Sequence, residues 1–149
     1  WGRWLLDHRH QIHYGEVRPI PYHKPITHAL PITTDCSGFV SLCYYLAGVT
    51  NDPNGERWNG QGYTGTLLAH GKLIPAAKVL PGDVVVWGPG TGEHTALVIS
   101  IGPDPVVISH GQQGDPSTHR VSADTRKPVR YLRFDTRAVG MTMPPPANS

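Results

Sequence analysis

From Leu80 onward the chain consists of short apolar runs separated by Gly- and Pro-containing turns. "VVVWG" follows Pro81-Gly82-Asp83, "HTALVISI" runs into "GPDP", "VVISHG" follows, and "HRVSA" and "VRYLRF" complete the series. Runs of this length, rich in β-branched and aromatic residues, read as strands, and tight turns join antiparallel neighbours. A sheet of about five antiparallel strands is expected. The first half has a different texture. "WGRWLLDHRHQIHY" places Trp1, Trp4, Leu5, His8 and Ile12 at helical spacing. A largely buried helix is expected from Ser37 to Ala47, closed by Gly48, and "YTGTLLAHG" predicts a short one ended by Gly71. Helices first and antiparallel strands later predict an α+β fold with the helices packed on the sheet.

Between the first two helices, "GEVRPIPYHKPITHALPITT" has no sustained period and reads as one long loop up to Thr34. Ordered loops of that length usually border a functional site. The 149 residues suffice for one domain, and a charged fraction of 16% is too low for a disordered chain. A net charge of +2 without a basic run argues against a nucleic-acid partner. No apolar run approaches the ~18 residues of a membrane span, so no membrane insertion is expected. Residues 1–138 are expected to form the folded domain. The Pro-rich segment 139–149, with "MTMPPPANS", has the composition of a stiff linker. With no initiator Met at Trp1 and no leader-like run behind it, the chain is expected to be a piece of a longer protein.

Cys36 and Cys43 are seven residues apart in the predicted helix, about 10 Å of rise, beyond the ~7 Å reach of a disulfide. There is no C-x-x-C and no His at ligand spacing, so neither a metal site nor a cofactor is expected. Two free thiols remain. Cys43 sits mid-helix among Phe39, Val40 and Leu46 and reads as a small core residue. Cys36 sits at the helix start, where unpaired N–H groups and the helix dipole favour an anion, so a depressed thiol pKa is expected there. A nucleophilic thiol also needs a base and a group to orient that base.

Of nine histidines, His8, His10, His13, His23, His28 and His70 fall in loops or near helix ends and read as solvated. His94 and His110 fall in predicted strands. A hairpin turning about Gly102 would place them opposite each other. His94, Ala96, Val98 and Ser100 would then share a face with room for a helix, and Leu97, Ile99 and Ile101 would fill the other face as core. Gln112, two residues beyond His110, is the competing third member.

"DCSGFV" at a helix start, then "PGDVVVW", "HTALVIS" and the strand carrying His110, resembles the NlpC/P60 family of cysteine peptidases over Pro19 to Phe134. The resemblance implies a papain-like fold and cleavage of bacterial peptidoglycan stem peptides, typically between D-glutamate and a diamino acid such as diaminopimelate. It implies Cys36 as nucleophile, His94 as general base and His110 as the residue orienting the imidazole. Tyr22, in "IPYHKP", would contact substrate or the oxyanion, although "HKP" stands where the family has Trp-Gly-Gly. The Cys36 backbone N–H would supply another oxyanion donor, and Asp35 and Ser37 would line the groove. The Pro-rich tail suggests the catalytic module of a phage endolysin, made in the host cytoplasm and acting on the wall, with a wall-binding domain following. A secreted bacterial enzyme is the alternative location. Two other readings stay open: a CHAP-type N-acetylmuramoyl-L-alanine amidase, and an inactive wall-binding module.

Overall fold

Residues Trp1 to Tyr14 form three short pieces rather than one helix. In the computed structural model, which describes residues 1–112, 114–138 and 144, α1 spans Gly2–Asp7. A 3-10 turn follows at Arg9–Gln11, and β1 spans Ile12–Tyr14. The helix stops where His8 turns back: its ring stacks on Trp4 at 3.8 Å and its Nδ1 bonds the Trp4 carbonyl at 2.8 Å. β1 lies parallel to β2, Ile32–Thr34, with Ile12 paired to Ile32 and Tyr14 to Thr34. The long predicted loop therefore contains a strand. A pair of three-residue strands so far apart in sequence leaves no periodic signal.

Asp35 ends β2 and caps α2, Cys36–Leu46, its carboxylate accepting the Gly38 N–H at 2.8 Å. Phe39, Val40, Leu42 and Leu46 are sealed in the core, each worth roughly 1.5–3 kcal/mol of burial. α3 spans Thr64–His70. The strands that follow are β3 Lys72–Ile74, β4 Val84–Trp87, β5 His94–Ser100, β6 Val106–Ser109, β7 Ser117–Arg120 and β8 Val129–Arg133. They form one sheet in the order β3-β8-β4-β5-β6-β7, with every neighbouring pair antiparallel. The fold is α+β, as expected, with six strands instead of about five. The extra strand, β3, is an edge whose Leu73 is largely exposed, so it lacks apolar alternation. The predicted "HRVSA" strand lies earlier, and Val121–Ala123 is a 3-10 turn.

One face of the sheet, with Val84, Val86, Leu97, Ile108 and Leu132, packs against Leu5 of α1 and Phe39, Val40 and Cys43 of α2. The other face, with Val85, Trp87, Ala96, Val98 and Val107, is closed by Val79 and Val121 from connecting segments. The helix therefore presses on the Leu97 face and not on the Ala96–Val98 face. The expected hairpin register is also displaced by one residue. Leu97 pairs with Ile108 and Val98 with Val107, but Ser100 pairs with Val106, across an irregularity that absorbs one residue. Continued to the strand ends, this register sets His110 across from Thr95, not His94. A slip of one flips the face.

Candidate active site

Cys36 is delivered by a strand-to-helix junction. β2 leads to Thr34, Asp35 caps the helix, and Cys36 is its first residue, partly exposed. The thiol has donors about it: the Thr95 and Ser37 backbone N–H groups and the Thr64 hydroxyl pull its pKa down. Burial pushes harder in the other direction, and the Asp35 carboxylate adds to it, so the thiol stands above its ordinary value. The depressed value expected of a helix start is thus overturned, because burial first and the charge of the capping Asp35 second outweigh the donors at the helix start.

His94 opens β5 and pairs across the sheet with Trp87. The two rings stack with centroids 5.4 Å apart and planes 22° from parallel, which fixes the imidazole plane. Burial, then the Arg126 charge, lower the His94 pKa to about 4, with Asp124 opposing. Near neutral pH both groups therefore rest uncharged. Both residues open onto one cleft of about 1020 Å³, whose walls also include Tyr14, Arg18, Asp35, Ser37, Gln112 and Arg126.

The NlpC/P60 family profile matches residues 14–130, most of the chain and all of the cleft's framework from β1 to the start of β8. The chain belongs to the NlpC/P60 family. The NlpC/p60 domain of the peptidoglycan hydrolase SagA superposes with a TM-score of 0.55 at 18% identity, covering 90% of this chain and 99% of that one. The peptidoglycan hydrolase RipB of Mycobacterium tuberculosis aligns with a TM-score of 0.49 at 24% identity, over 67% of this chain. That alignment spans 44% of the RipB chain, less than half its length. A search of curated proteins found no match.

Within this NlpC/P60 domain, Cys36, His94, Asp35 and Ser37 come together at the cleft. Asp35 is largely occupied: one carboxylate oxygen caps α2 and the other takes Arg18 at 3.0 Å. Ser37 Oγ accepts from Arg18 at 3.2 Å. His110 does not line the cleft, although its neighbours Ser109 and Gly111 do. It is fully buried on the α2 face, near the Tyr14 and Phe39 rings. Its Nε2 donates to the Gly114 carbonyl at 2.7 Å, which leaves Nδ1 to accept the Thr34 hydroxyl at 2.8 Å. Among the described residues, no hydrogen bond joins it to His94. The displaced register is the cause.

Tyr22 is also not at the cleft. Its half-buried ring stacks on Tyr45 of α2 at 4.7 Å and meets Trp58 edge-on, against the edge of the core. Tyr14 stands at the cleft instead. Burial comes first among the causes that raise its pKa and the Cys36 charge second, and its hydroxyl bonds the Gln112 side chain. Tyr14 is hidden in the sequence because it closes "WGRWLLDHRHQIHY", whose apolar residues have helical spacing. The Tyr-Gly pair ahead of the Asp-Cys junction was the available signal. Arg126 and Thr64 are hidden as well, because they reach the site from segments distant in sequence and have no local motif.

Proposed function

We propose that this domain is a peptidoglycan hydrolase that cuts stem peptides by a thiol mechanism, as a D-glutamyl–diaminopimelate endopeptidase. The observation that carries this reading is the opening of Cys36 and His94 onto one cleft. Membership of the NlpC/P60 family supports it. As Cys36 Sγ attacks the amide carbon, His94 takes the thiol proton, so the ion pair forms during attack rather than at rest. The developing oxyanion takes the Cys36 backbone N–H, unpaired at the helix start, and the Tyr14 hydroxyl. His94 then protonates the leaving amine, and water, deprotonated by the same ring, hydrolyses the thioester.

On the proline content of segment 139–149, which apart from Pro144 lies outside the described residues, we also propose that the domain is the catalytic module of a phage endolysin, made in the host cytoplasm and acting on the wall beside a wall-binding domain.

The test is digestion of peptidoglycan of defined chemistry, with the new termini identified by mass spectrometry. New D-glutamyl carboxylates and diaminopimelate amines are expected, and Cys36→Ala should release none. New L-alanine amines with freed lactyl carboxylates would make the protein an amidase. Wall binding without any release would make it a binding module.

A further inference from the structure

The cleft holds two arginines with different commitments. Arg18 donates Nε to the Gly62 carbonyl at 2.8 Å, Nη1 to the Val17 carbonyl at 2.8 Å, and Nη2 to Asp35 and Ser37. Four of its contacts are therefore made within the fold, and its side chain is 22% exposed. Arg126 is 42% exposed. Its Nε and Nη2 hold Asp124, an anchor that fixes the plane of the guanidinium. Its Nη1 makes only a long contact, 3.5 Å, to the carbonyl of Glu93, the residue preceding His94. A guanidinium carries five N–H donors, so Arg126 keeps unspent hydrogens on both terminal nitrogens. That edge stands in the cleft wall, close enough to the base's own backbone for an anion bound there to lie beside the reacting amide.

We propose that Arg126 is the specificity-determining residue of this cleft, and that it takes a free carboxylate on one of the two substrate residues flanking the scissile amide. The inference rests on the stem-peptide reading and deepens it: a stem peptide carries such carboxylates, and in some walls they are amidated. An ionised carboxylate on a planar fork forms a charge-assisted pair that an amide cannot reproduce. Asp124 acts as the positioning residue that holds the fork.

Three synthetic peptides test this: the free acid, the same peptide amidated on the D-glutamyl carboxylate, and the same peptide amidated on the diaminopimelate carboxylate. kcat/KM is measured for wild type, R126Q and R126K. One of the two amides should be cut about 10- to 100-fold more slowly than the acid by wild type. R126Q should bring the acid down to that amide's rate, so that the ratio approaches one, and R126K should retain part of the preference. Binding of the same peptides to Cys36→Ala, by calorimetry, separates this inference from the one beneath it. Preferential binding of the acid without cleavage by wild type would keep the carboxylate receptor and remove the endopeptidase reading. Equal binding and equal cleavage of all three peptides would overturn the role of Arg126. So would a preference that survives in a folded R126Q.

Discussion

The cleft and the interior around α2 hold the same residue types: Cys36 and His94 line the cleft together with His119, whereas Cys43 and His110 are buried. Cys36 and Cys43 lie on the same helix. Cys36 is its first residue and opens to the cleft, whereas Cys43 is buried against the sheet, and burial pushes its thiol up to about 12. His94 and His110 lie at adjacent strands of one sheet. His94 faces the cleft over Trp87, whereas His110 is sealed on the opposite face with both ring nitrogens engaged. Chemistry here follows from where an element begins and which face a strand turns, not from residue type.

The largest expected effects separate the histidines. His94→Ala should lower kcat/KM by about a thousandfold or more with the fold intact, because in the proposed mechanism it removes the base. His110→Ala should leave the folded protein within a few-fold of wild-type activity but cost about 2–4 kcal/mol in denaturant unfolding. It strands the Gly114 carbonyl and the Thr34 hydroxyl. A stable His110→Ala protein that is inactive would place His110 in the catalytic set.

The cysteines should differ by less in stability. Cys43→Ala opens a small cavity worth about 1–2 kcal/mol and leaves activity in place. Cys36→Ala should be inactive and nearly as stable as wild type. Equal losses of activity in two folded proteins would erase the distinction between them.

A smaller effect concerns the resting thiol. A thiol pKa raised above its ordinary value means that the reactive thiolate appears only as pH rises. Alkylation of Cys36 in the free protein should be slow at pH 6 and keep climbing past pH 8.5, the ordinary cysteine midpoint. Fast labelling that is already level at pH 6 would show a preformed ion pair.

Local signals made one part of the site legible. "DCSGFV" places a capping carboxylate, a helix start and two small residues in consecutive positions, so the location of Cys36 could be read without any tertiary contact. The strand pattern gave the sheet and put His94 at a strand start. What failed was non-local. The irregularity near Val98 and Ser100 has no sequence mark, yet it moves His110 to the other face. The β1–β2 pair joins segments with a Pro-rich connection between them, so Tyr14 was hidden and Tyr22 took its place. The sign of the Cys36 shift depends on burial and on Asp35 together, and the helix-dipole argument weighed neither.

The most direct measurement of the central claim, that Cys36 and His94 act as a pair at this cleft, uses a stem-peptide analogue with a vinyl sulfone in place of the scissile amide. The labelled residue would be mapped by tandem mass spectrometry in wild type, His94→Ala and His110→Ala. The account predicts saturable labelling of Cys36 and none of Cys43, strong slowing in His94→Ala and near-normal labelling in His110→Ala. Labelling of Cys43, or a Cys36 rate that His94→Ala leaves unchanged, would contradict it.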